Sequence, residues 1–301
     1  MYGDIVIPVD GSSFSERAIP YAAAITRRAS GRLHVVLVHT PLSLYAADLP
    51  GTPLSQRWED QHREAEARYL DELAGRLRES GIEVIAEGRD GDPAHELVAA
   101  TKSKADLLVM ATHGRAGIER AWLGSVADEV VRHVDIPVLT IRPSEDTPPP
   151  EHPTFRHLLL ATDGSETAEA ATTQAVELAR LFDARVTLLT VVSVPAGLSS
   201  PYIPHAALID RETTEERSEQ ARRYLDDLAA RLAEDVEVEA RVTLGYHPAR
   251  GILDAIDEIG CDLVALGTHR RTRLARIVLG SVADKIVRAS PVPVLIAHAA
   301  T

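Results

Sequence analysis

The residues of this chain best suited to chemistry lie in a loop between an apolar strand and a helix. The loop runs from Ala111 to Ser125 and contains His113, Gly114 and Gly124. A glycine lets a backbone N–H group approach a ligand closely, and the N-terminus of a helix carries a positive dipole end. Together these features predict a binding site for an anion such as phosphate.

The same stretch occurs a second time, from Gly267 to Ser281, but Arg270 occupies the place of Gly114. The arginine side chain would lie where a β- or γ-phosphate would sit. An arginine fork also pairs well with phosphate, so the side chain could instead swing out and bind it. The second loop is therefore predicted to be either plugged or rewired, and the sequence leaves both alternatives open.

These two loops belong to a longer repeat. The Asp-Gly-Ser sequence that begins at Asp10 recurs at Asp163, and the Gly-Ser pair that begins at Gly124 recurs at Gly280. Self-similarity over this length indicates a tandem duplication of one domain. We predict domains over residues 1–143 and 156–301.

The segment between these domains, 144–155, is rich in proline and is predicted to be an extended linker. Within each domain, short apolar strands alternate with helices, which predicts an α/β fold with a parallel sheet covered on both faces. In the first domain, a helix is predicted over 15–29, and an irregular segment over 41–58. Capping boxes are predicted at three helix starts. Their residue pairs are Ser13 with Glu16, Ser125 with Asp128, and Ser281 with Asp284.

Composition narrows the classes of function. The 301 residues carry a formal net charge of −13, shared almost equally between the halves. A nucleic-acid-binding protein needs a basic face, so this charge argues against nucleic-acid binding. Cys261 is the single cysteine, so no internal disulfide can form, which suits a reducing compartment. The sequence shows neither a signal-peptide pattern nor a membrane span, and a cytoplasmic protein without membrane or nucleic-acid partners is predicted.

The motifs together resemble the universal stress protein family in its tandem two-domain form. The resemblance is carried by Asp-Gly-Ser after the first strand, Thr-His before the loop, Gly-Ser-Val-Ala-Asp at the helix start and Pro-Val-Leu in the last strand of each half. It implies two Rossmann-like domains, each a five-stranded parallel sheet of order 3-2-1-4-5 with helices on both faces. It also implies ATP at the carboxyl ends of strands one and four, with any Mg²⁺ carried by the phosphates.

The resemblance implies nucleotide contacts in both halves. In the first half, they fall on Pro8, Asp10, Thr40, Ala111, His113, Gly114, Gly124, Ser125 and Val126. In the second half, they fall on Asp163, Val191, Gly267, His269, Arg270, Gly280, Ser281 and Val282. Asp10 and Asp163 would lie near the adenosine, although an aspartate after a strand is also typical of a turn. Thr40 and Val191 would meet adenine through their backbone groups.

No catalytic residue and no metal site made of side chains is predicted. Ser12, His39 and Asp10 are types found in a catalytic triad, but nothing in the sequence fixes their geometry. The resemblance therefore implies a stress-response protein that binds ATP as a sensor or regulator, and the lack of a predicted base favours at most a slow ATPase. The alternatives are a nucleotide-free binding scaffold, which Ala111 and Arg270 would suit, and a weak ATP hydrolase.

The fifth strand of each half is predicted to mediate pairing between domains or between chains. Relatives with one domain tend to pair through this edge strand, which corresponds to residues 137–141 and 293–297 here. An exposed apolar edge is otherwise prone to aggregation. The resemblance thus implies an internal pseudo-dimer and leaves a homodimer open; the protein partner is not identified.

Overall fold

The computed structural model describes residues 2–41, 53–102, 105–112, 123–143, 148–194, 206–268 and 279–298. The chain divides into two compact units, Met1–Thr154 and Phe155–Thr301. No helix in the described residues is long and apolar enough to cross a bilayer.

The first unit has a sheet of five parallel strands in its described residues. The strand order is β3-β2-β1-β4-β5, and the paired strands all run parallel. The elements are β1 (Asp4–Val9), α1 (Ser13–Glu16), α2 (Ile19–Ala29), β2 (Arg32–His39), α3 (Pro53–Glu79), β3 (Glu83–Asp90), α4 (Pro93–Thr101), β4 (Leu107–Ala111), α5 (Ser125–His133) and β5 (Val138–Ile141). The predicted α/β class and strand order are confirmed for this unit.

The second unit repeats this architecture in the residues described for it. Its strand order is β8-β7-β6-β9-β10, again with parallel pairs. The elements are β6 (His157–Ala161), α6 (Glu166–Phe182), β7 (Arg185–Ser193), α7 (Ala206–Leu232), β8 (Val238–Gly245), α8 (Pro248–Ile259), β9 (Leu263–Thr268), α9 (Ser281–Ala289) and β10 (Val294–His298). The order matches that of the first unit, as a duplication requires.

The central strands are buried on both faces. Every residue of β4 is buried, and Leu107, Leu108 and Val109 have no exposed surface. Because successive side chains of a strand point to opposite faces, this pattern requires cover above and below the sheet. The apolar runs seen in the sequence reflect that arrangement.

In each unit, an aspartate just before the fourth strand accepts hydrogen bonds from the backbone at the start of the first strand. The Oδ2 atom of Asp106 accepts hydrogen bonds from the backbone N–H groups of Gly3, at 2.7 Å, and Asp4, at 3.1 Å. In the second unit, Asp262 receives the corresponding N–H groups of Arg156 and His157. An aspartate at the equivalent position thus links the first and fourth strands in both units.

The first helix differs from the prediction. The N-cap is Ser12 instead of Ser13, and its Oγ accepts from the backbone N–H of Ser15 at 3.2 Å. The predicted single helix is split into α1 and α2. Pro20 accounts for the break because it has no N–H to donate to the carbonyl four residues earlier. The irregular segment predicted over 41–58 is also too long, since α3 begins at Pro53.

Phe155 lies at the end of the predicted linker but is part of a core. Its side chain is only 2% exposed. The ring meets Phe182 edge-on, with the centroids 4.9 Å apart and the planes at 69°. The core of the second unit therefore includes a residue that precedes its first strand.

Gly31 provides a stability prediction. A Cβ atom there would lie 2.6 Å from the carbonyl oxygen of Gly3 and 2.7 Å from that of Tyr2. Because both neighbours are backbone, Gly31→Ala is expected to lower the free energy of unfolding by about 1–3 kcal/mol in urea denaturation. Gly75→Ala is the control, since nothing lies within 4 Å of its added Cβ. Inside α3 it should raise stability by about 0.5–1 kcal/mol, and equal effects at the two sites would contradict the packing argument.

Candidate functional site

A cavity of about 320 Å³ opens at the carboxyl ends of β1, β2 and β4 in the first unit. The start of α5 and the start of α4 complete its wall. The described lining residues are Pro8, Val9, Asp10, Ser15, Val36, Leu37, Val38, Thr40, Glu66, Pro93, Leu97, Met110, Ala111, Thr112, Gly124, Ser125, Val126 and Ala127. Strand order reverses beside β1, and in open parallel sheets ligands bind at such a switch point.

Seven of the residues predicted from the sequence lie together on this wall. They are Pro8, Asp10, Thr40, Ala111, Gly124, Ser125 and Val126. His113 and Gly114, predicted for the same site, lie outside the described residues. The fold thus brings residues from three strands and one helix to a single cavity.

The start of α5 faces this cavity. Its N-cap is Gly124, in an extended conformation with φ −57° and ψ 146°, and no side chain in the described residues caps the helix. Ser125 is the first helical residue, so the predicted capping box with Asp128 is wrong. Asp128 instead accepts from Nε and Nη2 of Arg132, at 2.8 and 2.7 Å. Among the described residues, no side chain therefore competes with a ligand for the N–H groups of the first helical turn.

The start of α9 has the same form. Gly280 is its N-cap, with φ −54° and ψ 148°, and no described side chain caps it. Asp284 pairs with Arg288 instead of forming a capping box with Ser281, and the Nε–Oδ1 distance is 2.9 Å. That prediction is therefore also wrong, for the same reason. An arginine one helical turn later offers the aspartate a charged partner.

Asp10 closes the turn after β1. Its Oδ1 accepts from the backbone N–H of Ser12 at 2.9 Å and from the Ser12 hydroxyl at 2.6 Å. Asp163 accepts from the backbone N–H of Ser165 at 3.0 Å. Both aspartates thus have the turn role that the sequence left open, and both also line a cavity.

The Ser12, His39 and Asp10 set does not form a triad. The Ser12 hydroxyl donates to Asp10, whereas Nδ1 of His39 lies 2.6 Å from Glu66 and its Nε2 lies 3.3 Å from Glu59. A serine nucleophile needs a base within hydrogen-bond reach, and His39 faces glutamates instead. These three residues do not assemble a hydrolytic site.

Acidic groups gather on the β1 side of the site. Burial raises the pKa of Tyr69 from α3, and the negative charges of Glu16 and Asp10 raise it further, against the opposing effect of Arg76. The phenol therefore stays protonated at neutral pH.

Sequence reasoning missed several wall residues, of which Glu66 is the most polar. Glu66 lies on α3, and its partner His39 is 27 positions away in the sequence. No local pattern distinguishes it from the other charged residues of that helix. Pro93 and Leu97 could have been found, because the Pro-Ala pair that opens α4 recurs at the start of α8.

A second cavity, of about 180 Å³, lies at the corresponding edge of the second unit. Four of its described lining residues were predicted from the sequence: Asp163, Val191, Gly267 and Val282. Gly280 and Ser281 begin α9, but the described wall contains Val282 and Ala283 instead. His269 and Arg270 lie outside the described residues, so the plugged and rewired alternatives stay open.

Strand register identifies the true counterpart of Val191. In both units the first strand pairs with the residue 28 positions later, as Ile5 does with Leu33 and Leu158 with Val186. Val191 therefore corresponds to Val38 and not to Thr40. Its side chain packs closely over α8, where a Cβ at Gly251 would lie 2.8 Å from Cγ1 of Val191.

The family model for universal stress proteins matches residues 1–142 and 154–298, which covers both units and their cavities. The chain belongs to the universal stress protein family. A universal stress protein of Mycobacterium tuberculosis is 29% identical over 310 residues, covering 98% of this chain and 96% of the relative.

Two further comparisons agree with this family assignment. A universal stress protein of Methanocaldococcus jannaschii is 34% identical over 146 residues, which cover 47% of this chain and 83% of the relative. The crystal structure of a universal stress protein from Archaeoglobus fulgidus superimposes with a TM-score of 0.71 at 20% identity, over 100% of both chains. The latter shows a shared fold, and the tandem form of the family is confirmed by the two matched segments.

Proposed function

We propose that this universal stress protein binds ATP in the cavity of its first unit and acts as a nucleotide-linked sensor or regulator. The observation that carries the proposal is the position of the cavity. It lies at the carboxyl ends of β1 and β4 and is bordered by the first turn of α5, which no described side chain caps. A helix start of this kind favours phosphate through its N–H groups and its dipole.

The charges of the wall give the ligand an orientation. Gly124 and Ser125 lie after β4, whereas Asp10 follows β1 and Glu66 lies over β2. Phosphates are repelled by carboxylates and attracted by the helix start, so they belong at the β4 side. The nucleoside then lies towards β1 and β2. The cavity volume of about 320 Å³ is at the lower end of the range for small-molecule sites.

We propose one high-affinity nucleotide for each chain, bound by the first unit. The second cavity, of about 180 Å³, is little more than half as large. Its wall shares Asp163 and Gly267 with the predicted site, but Ala221 of α7 occupies the sequence position of Glu66. The second unit is therefore expected to bind ATP weakly or not at all.

The proposed role is regulatory and not catalytic. A fast ATPase needs groups that position water and neutralise the γ-phosphate. The described wall of the first cavity contains no lysine or arginine. No group of three or more His, Cys, Asp or Glu residues in the described part of the chain could hold a metal ion, so Mg²⁺ would arrive with the phosphates.

Isothermal titration of the purified full-length protein with ATP tests the proposal. The expected result is saturable binding at about one equivalent per chain, accompanied by a rise in the thermal unfolding temperature. Inorganic triphosphate is the control for binding through phosphate alone. The absence of both binding heat and a thermal shift at millimolar ATP would contradict nucleotide binding and would favour the scaffold alternative. Steady release of phosphate from ATP would favour the hydrolase.

The homodimer, the internal pairing and the cytoplasmic location remain part of the proposal. Light scattering tests the homodimer, and a mass of one chain with and without ATP would reject it. A doubled mass that depends on ATP would connect occupancy with assembly.

A further inference from the structure

A cluster of imidazole and carboxylate groups supports one wall of the first cavity. Glu66 lines that cavity, and its two oxygens lie close to different histidines. Oε2 lies 2.6 Å from Nδ1 of His39, and Oε1 lies 3.2 Å from Nε2 of His62. The carboxylate side chain is only 11% exposed and that of His39 only 5%.

The cluster extends outwards from Glu66. Nε2 of His39 lies 3.3 Å from Glu59, so this imidazole is held between two carboxylates. The ring of His62 is stacked on Trp58, with the centroids 4.8 Å apart and the planes at 14°. The hydrogen bond to the buried ring of His39 therefore holds one oxygen of Glu66, and the other oxygen faces the partly exposed ring of His62.

The second unit shows that the fold does not require this cluster. The repeat aligns α3 with α7 through the Tyr-Leu-Asp sequence that begins at Tyr69 and at Tyr224. The counterparts of His39, His62 and Glu66 are Val192, Arg217 and Ala221, in that order. Val192 is buried, and α7 packs on β7 and β8 as α3 packs on β2 and β3.

The fold itself therefore does not require Glu66. Burying a carboxylate costs free energy that a hydrogen-bonded partner only partly offsets, and an apolar substitute is often as stable. The second unit uses the apolar solution at the same position. Retention of the charged cluster in the unit with the larger cavity points to the ligand.

The position of Glu66 determines which part of a ligand it meets. It lies over β2, on the far side of β1 from β4 and the start of α5. It therefore lies on the nucleoside side of the proposed orientation, and no role as a base on the γ-phosphate is assigned to it. An ionised carboxylate has about four lone-pair sites, and the hydrogen bond with His39 uses one of them.

We propose that Glu66 is a specificity-determining hydrogen-bond acceptor for the nucleoside part of the nucleotide, an inference that rests on ATP binding in this cavity. Its remaining lone pairs accept from a donor on the ligand, either a ribose hydroxyl or the exocyclic amino group of adenine. A bond to a charged acceptor is about twice as strong as one between neutral groups. The first unit thereby selects a donor-bearing nucleoside, and the second unit lacks this selection.

The test is isothermal titration of the full-length protein and its Glu66→Gln variant with four nucleotides: ATP, 2′-deoxy-ATP, 3′-deoxy-ATP and inosine triphosphate. Glu66→Gln is expected to weaken ATP binding by about tenfold or more, because a charged acceptor is lost. In the unaltered protein, the analogue that lacks the recognised donor should bind weaker by a similar factor. The Glu66→Gln variant should bind that analogue and ATP with equal affinity. Which analogue binds weakly to the unaltered protein shows whether Glu66 contacts the ribose or the adenine.

The matched control is Glu72→Gln, which makes the same chemical change at an exposed position of the same helix. It should leave the affinity for ATP within about twofold. The analogue series on the unaltered protein needs no substitution, so it can overturn the inference even if Glu66→Gln fails to fold. Equal affinity for all four nucleotides, or a Glu66→Gln variant that binds ATP normally, would overturn this inference alone. If the unaltered protein binds no ATP, the proposed function falls and this inference with it.

Discussion

Ser125→Asp is expected to weaken ATP binding by at least about a hundredfold while the first unit stays folded. Ser125 is exposed, lines the cavity and is the first helical residue of α5. A carboxylate there would face the phosphates at close range, and two like charges at 4 Å repel by about 4 kcal/mol near a protein surface. The same charge is favourable at a helix start, by roughly 0.3–1 kcal/mol. Loss of binding is therefore separated from loss of stability.

Isothermal titration measures the affinity, and urea denaturation measures the free energy of unfolding. Ser125→Asn is the neutral control of similar size and should keep most of the affinity. Ser281→Asp places the same charge at the start of α9. It should leave the high-affinity site unchanged, because that site is assigned to the first unit. Normal ATP binding by the Ser125→Asp variant would contradict the proposal that the phosphates lie at the start of α5.

Phe155→Ala is expected to destabilise the second unit by about 3–5 kcal/mol. The ring is 2% exposed and its edge contact with Phe182 would also be lost. Such aromatic pairs contribute about 0.5–1.5 kcal/mol beyond the area that they bury. The deletion leaves a cavity next to the start of β6, which neighbouring side chains can fill only in part.

Native-state hydrogen exchange of amides in β6 and α6 is the suitable measurement, because it reports the opening free energy of this unit locally. Phe155→Leu is the control, since it keeps most of the apolar volume and should cost less than half as much. A loss below about 1 kcal/mol for Phe155→Ala would show that the residue belongs to the linker energetically, as its sequence context suggested.

Sequence reasoning succeeded where the signal is local. The apolar run of β4 and the Gly-Ser pair at Gly124 each occupy a few adjacent residues, so the strand and the helix could be placed correctly. The repeat then multiplied this information, because two copies with the same order of signals indicate one fold used twice. Family membership follows from the same motifs and was confirmed across both units.

It failed where two local signals compete for one group. Asp128 has the spacing of a capping box, but Arg132 lies one turn further along the same helix and takes the carboxylate. Ser12 and Ser13 are equally good caps by composition, and only the backbone path at Ser12 decided between them. Phe155 was grouped with prolines because a sequence window cannot show which neighbours will bury a ring.

The sequence by itself determined the duplication, the α/β class and the strand order that the family resemblance implies, and it predicted the edge of the sheet at which the cavity lies. These properties depend on periodicity and on motifs within short windows of sequence, which are present whether or not the chain is folded. Only the tertiary structure decided that Glu66 joins His39 at the wall of one cavity. Such pairs are separated by tens of residues and meet through the packing of a helix on a strand, which no local pattern encodes.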